Sequence, residues 1–386
     1  ALNSGTTTGD NNIAIGQSAG DALTSGFNNV LLGKDAGGTL QTGYNHILMG
    51  PTAGDALTGG RNNVALGQHA LGGSTANVGC IAIGSAAMQA INSTDADHTV
   101  GIGNEVLVSL TDGQYNVAIG HQAMYTETQG DKSTAVGYQA LKTQDGSGLN
   151  TAVGYQAGLS MTTGYLNTLI GNDAGKLLTT STGNVVVGAR ALDAADSGES
   201  DNIVLGTDAM GAVNNPMSDS NIAMGLDALT GGTGGVIHNI AIGQNALNST
   251  AGNNVTGSVA IGYNTLTAVT SGDLNVAIGY VAGDAINTGV QNVALGFEAL
   301  SAATSVTGAT ALGAGALGDG NVTSDANYVT AVGLAALKAM TTGVGNVAVG
   351  AFTGDSITTG AYNTIVGYQA LTSAGTGVSH NTVVGY

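Results

Sequence analysis

The sequence predicts an all-β chain: a parallel β-solenoid, of the β-roll or β-helix kind, with about twenty-two coils of 17–20 residues. Three observations predict it. A five-residue unit of the type N-V-A-I-G recurs along almost the whole chain. Glycine supplies 65 of 386 residues and proline only 2, which excludes collagen. The units are β-branched and too short for helices.

The closing glycines set the period. They begin at Gly16, Gly33, Gly50 and Gly67 and end at Gly385; fourteen of the twenty-one spacings are 17, and the others are 18, 19 or 20. No linker interrupts them, so residues 1–386 read as a single repetitive domain with a partial first coil and a truncated last one. At about 4.8 Å per coil, the strand spacing, twenty-two coils would extend about 100 Å.

Each strand then assigns its own faces. The residue before the glycine is Ile, Leu, Val or Met, and the residue three before it is Ile, Val or Thr, as in Ile13 and Ile15. These two share one face because side chains alternate, and they are expected to form the inner core. The residue between them is Ala in fourteen coils, Gly101 in one, and larger at Leu31, Leu48, Leu169, Val186, Val204, Ile365 and Val383. It is never charged, so both faces are expected to be buried. A neighbouring chain would cover the second one, which predicts an oligomer, best a parallel homotrimer.

Asn opens fifteen of the twenty-two strands, including Asn12, Asn29 and Asn63. Stacked Asn side chains form ladders in cross-β structures, and a ladder is favoured here over a substrate-binding row. Beyond the strand, the residue four after the glycine is Gly in seven coils, and a bulky apolar residue then follows three positions later, as in Gly37 with Leu40 and Gly54 with Leu57. Elsewhere that position holds Leu or Met in most coils. One apolar plug per coil is expected, supplied by either route.

Composition narrows the functional classes. Only 8% of residues are charged and 42% are apolar, unlike a disordered chain. The net charge is −18 with 7 Lys and Arg, so nucleic acid is excluded as a partner and no membrane insertion is expected. The lone Cys80 cannot make an intrachain disulfide. The start, Ala1-Leu2-Asn3-Ser4, has neither a basic nor an apolar stretch, so a processed chain or a piece of a longer one is expected.

The pattern N-x-A-V-G-Y-Q-A-L/G followed by T-T-G stands at Asn150 to Gly158 with Thr162-Thr163-Gly164, and the nonapeptide recurs at Asn363 to Leu371. It resembles repeat regions of phage tail-fibre proteins and related bacterial surface proteins, which often carry a C-terminal endosialidase-type chaperone. It is also similar, with a longer period, to the S-V-A-I-G repeat of trimeric autotransporter adhesin heads. The resemblance implies parallel trimers of β-rolls at an extracellular or virion surface. No chaperone cleavage site, coiled-coil stalk or outer-membrane anchor is visible, and the chain stops at Gly385-Tyr386 in mid-repeat.

Chemistry is sparse. The six histidines have no metal-ligand spacing, and no phosphate loop occurs. Two acidic turns stand out: Asp193, Asp196, Glu199 and Asp201, and the pair Asp95 and Asp97. Clustered carboxylates suit Ca²⁺, while the plainer role is a solvated loop; no other cofactor is expected. Paired carboxylates also serve glycoside hydrolysis, but no groove-building insertion accompanies them. Tyr138, Tyr155, Tyr263, Tyr280, Tyr368 and Tyr386 follow the closing glycine and are expected to cover the coil surface, with sugar binding as the alternative.

The expected function is a non-enzymatic fibre segment, the shaft or host-attachment part of a phage tail fibre. The alternative is a bacterial or archaeal cell-surface adhesin or self-assembling extracellular filament. Partners would be further copies of the chain, and a host-surface glycan or protein receptor. An ice-binding solenoid is disfavoured because Thr is not held at one fixed pair of positions, and an enzyme has the least support.

Overall fold

A computed structural model describes residues 8–92, 96–146, 148–249, 252–320, 322–323, 326–373 and 375–386. Two compact units divide the chain between Ala189 and Arg190. Both are parallel β-solenoids, and no α-helix occurs among the described residues.

In the first unit, eleven three-residue strands run from Ile13–Ile15 to Val185–Val187. Register is one coil per rung: Ile13 pairs with Val30, Ala14 with Leu31 and Ile15 with Leu32. The second unit repeats this with eleven three-residue strands from Ile203–Leu205 to Thr382–Val384. Its longer coils carry extra residues in an added two-strand sheet, Val236–Ile237 parallel to Val255–Thr256.

Short coils demand tight corners, and the backbone makes them with left-handed residues. The closing glycines turn the chain out of the strand at φ values such as 133° at Gly16 and 131° at Gly50. A Cβ on Gly50 would lie 2.6 Å from the Gly67 carbonyl oxygen of the next coil, so the column admits only glycine. Two residues later a side-chain-bearing residue adopts φ near 55°, even where it is β-branched, as at Thr52 and Val281. Such a conformation is unfavourable alone. Here the amide of Thr52 donates to the Lys34 carbonyl at 2.9 Å, and that of Val281 to Tyr263 at 2.9 Å. Stacking satisfies the polar groups that the corner would otherwise expose.

The core corrects the expected orientation of the strand. The middle residue points inward: Leu31, Leu48, Ala65, Ala118 and Leu169 are fully buried. Ile13 and Ile15, expected inside, are 53% and 60% exposed at the first coil, and Ile47 and Met49 are still 41% and 36% exposed within the stack. The physical reason is the thinness of the coil. The strand lies against its own turn, so most inner positions admit only Ala, and the bulkier rows face out. Apolar residues on both faces give no polarity contrast from which to read the inside.

The plugs are as described from the repeat: Leu40, Leu57, Leu71, Met88 and Met124 are all fully buried. The strand and turn also share volume across the core. A Cβ on Gly37 would lie 3.1 Å from methyl groups of both Leu31 and Leu48, and one on Gly54 would lie 3.0 Å from Leu48. Conversely, a Cβ on Gly101 would meet Met88 at 2.9 Å.

Candidate functional site

The most extensive feature available for recognition is the outer face of each strand ladder. Every coil contributes two side chains to it, and both rows contain only Ile, Val, Leu, Met and Thr. They stand there because the inner row has taken the opposite face and the side chains alternate. Such a face, continuous through the eleven three-residue strands of a unit, exceeds the scattered apolar residues of an ordinary surface.

Aromatic rings border the face where the chain leaves the strand. In the first unit His121, Tyr138 and Tyr155 stack with centroids 5.4 and 5.2 Å apart. In the second, Tyr263, Tyr280 and Phe297 stack at 5.1 and 5.6 Å. Interplanar angles of 8–18° mean that each ring covers its neighbour's face. A sugar therefore meets mostly ring edges along these rows, except where a row ends.

The Asn row lies inside. Asn29 Nδ2 donates to Asn12 Oδ1 at 3.0 Å and to the Gly43 carbonyl at 2.9 Å, and the Asn29 amide donates to the same Oδ1 at 3.0 Å. The pattern repeats at Asn167 and Asn184 and, in the second unit, at Asn221 and Asn292. Asn29 and Asn63 are fully buried, so the row holds coils together and is closed to a substrate.

Two substitutions in the row have their own chemistry. His46 is buried there; its amide donates to Asn29 Oδ1 at 3.0 Å and its Nδ1 accepts from the Asn63 amide at 3.3 Å. Burial lowers its pKa to about 4, against the opposing pull of the Gly59 and Gly60 backbone. Cys80 donates its amide to Asn63 Oδ1 at 2.9 Å, and burial pushes its thiol up to about 12. Such a thiol is not a nucleophile at neutral pH.

The acidic turn does not assemble the expected Ca²⁺ site. Glu199 turns into the interior, whereas Asp196 and Asp201 face solvent and Asp193 is half-buried. Burial raises the Glu199 pKa, and nearby Asp196 and Asp219 raise it further. Among the described residues, no three His, Cys, Asp or Glu side chains converge to hold a metal. Asp95 lies outside the described residues. Asp97 accepts the Val78 amide of the preceding coil at 2.6 Å. Asp131, Asp219 and Asp273 brace Gln114, Ser200 and Thr256 in the same way at 2.7–2.8 Å. That role was missed in the sequence, although an acid just before the strand recurs in all four coils.

No helix of the described residues is long and apolar enough to cross a membrane. No protein-family model matches the chain, and no curated protein matches it in sequence.

Proposed function

We propose that the chain is a non-enzymatic structural segment of a fibre, the shaft or host-attachment part of a phage tail fibre, displayed on a virion. Copies associate through the outer strand faces, in parallel and as a trimer. The uncharged apolar face of each ladder carries this proposal. The two outer side chains of a coil are already partly buried, with Ile47 and Met49 at 41% and 36% among the more exposed ones within the stack, so together they amount to roughly half to two-thirds of a full apolar side chain, or about 1–2 kcal/mol on burial. Over the eleven three-residue strands of one unit that sum is about 10–20 kcal/mol for each chain, against the roughly 4–15 kcal/mol that association costs. The corrected orientation supports the idea better than the original one, since the face left for a partner holds Ile, Val and Leu in place of Ala.

The same face would serve a cell-surface adhesin or an open extracellular filament. Sedimentation of the native chain separates the outcomes: a mass three times 37.5 kDa supports the trimer, and a mass that grows with concentration supports the filament. A monomer at micromolar concentration would refute both. Ile119→Lys together with Val153→Lys is expected to dissociate the assembly while leaving the far-UV circular dichroism of the coils unchanged.

A further inference from the structure

We propose that the cleft between Phe297 and Leu334 binds one pyranose ring of a neutral saccharide. The cleft encloses about 260 Å³ and lies where the second unit's aromatic row stops. Tyr280 covers one face of Phe297, and the next coil places Ala314 where another ring would continue the stack. Phe297, 51% exposed, therefore turns its other face into the gap.

The adjacent position widens it. Gly315 has φ 62° and is the only glycine in a row that elsewhere bears side chains such as Glu298, Ala335 and Phe352. A Cβ there would meet nothing nearer than Lys338 Cε at 4.0 Å. One rung of the outer corner thus carries only the Ala314 methyl group where its neighbours carry two side chains, while the backbone continues in register.

Width selects the ring type. Phe297 and Leu334 stand two coil rises apart, about 9.6 Å at the strand spacing. Contacts of about 3.5–4.0 Å on each side leave a layer about 2 Å deep for the ligand's atoms. A flat aromatic ring underfills this layer. A puckered saturated ring fills it with its axial hydrogens, whose positive edge suits the negative face of Phe297.

The rim supplies the polar half of the match. Glu298 offers hydroxyl-accepting oxygens, and Lys338, anchored 3.0 Å from Asp319, offers donors. Lys338 and Arg190 are the only two cations in the sequence of this unit, so the placement of one beside the gap is notable chemistry for an acidic surface. A carboxylate and an ammonium on one rim fit adjacent hydroxyls of a neutral sugar better than an anionic or cationic ligand.

This inference deepens the attachment role, and its test is separate from that of the fibre. A trimer that binds no sugar sinks the inference alone; a monomer that binds sugar sinks the fibre alone. The native assembly is titrated by saturation-transfer NMR with methyl glucoside, methyl galactoside, methyl mannoside and N-acetylglucosamine, and with p-cresol as the flat probe. At least one sugar is expected to bind saturably with a Kd of about 1–10 mM. Ala314→Tyr, which restores the missing ring and lengthens the stack, is expected to abolish that binding with no loss in Tm. Phe297→Leu, at a half-exposed position, is expected to weaken it roughly tenfold. Absence of saturable sugar binding, sugar binding indifferent to both variants, or tighter binding of p-cresol than of every sugar would each overturn the assignment.

Discussion

Two stretches of the first unit solve the same packing problem in opposite ways. Around Leu31 and Leu48 the strand is large and the turn is small: Gly37 packs against both leucines, and Gly54 packs against Leu48. Around Gly101 and Ala118 the strand is small and the turn is large, with Met88, Leu107 and Met124 filling the space. Leu169, between Gly158 and Gly175, follows the first solution again. The difference teaches that the repeat fixes a volume per coil and leaves open which wall supplies it.

The largest way to break the first stretch is to empty its strand wall. Leu48→Ala leaves both flanking glycines facing a void, and should destabilise the unit by about 3–5 kcal/mol in urea unfolding. In the second stretch Ala118→Gly should cost about 1 kcal/mol at most. Equal losses at the two sites would contradict the shared-volume account.

Acid distinguishes the stretches next. His46 adjoins Leu48 in the first, whereas Thr99, Asn116 and Ser133 occupy its row in the second. A pKa lowered from 6.5 to about 4 means that the unfolded chain binds the proton more readily. Stability from this group is therefore full above about pH 6.5, declines as pH falls, and levels off below about pH 4, with a total loss of about 3 kcal/mol. His46→Asn restores the ladder residue and should flatten that part of the pH profile. A pH profile unchanged by the substitution would rule this out.

Overfilling gives a smaller effect. Ala118→Leu places the first solution's strand residue against the second solution's turn, and should cost about 1–3 kcal/mol by thermal melting. The finest test is a double-mutant cycle. Gly54→Ala presses on Leu48, so it should be less harmful in the Leu48→Ala background by about 1 kcal/mol. Additivity of the two changes would show that the walls do not communicate.

Much of this was legible in the residues. The glycine spacing located the strands, the β-branched pairs gave their type, and the Gly-then-Leu alternation gave the plug. Orientation was not legible from the strand alone, because both of its faces are apolar. The deciding signal lay elsewhere, in the turn glycines that pack against Leu31, Leu48 and Leu169, which make sense only if those leucines point at the turn. The expected Ca²⁺ site failed for a related reason. Spacing along the chain places Asp193, Asp196, Glu199 and Asp201 near one another, but not whether Glu199 turns inward. The cleft at Ala314 and Gly315 left a trace in the sequence as a break in the aromatic row, visible only once the rows were known to stack.

The left-handed corners carry a consequence for how such a molecule comes into being. A lone coil would have to hold Thr52 or Val281 in a costly backbone state with no amide partner, so it would not persist. Once one layer exists, its carbonyls act as a mould for the next. Growth is then quick and directional while initiation is slow, as in the enlargement of a crystal from a seed, and the finished object inherits its regularity from that first layer.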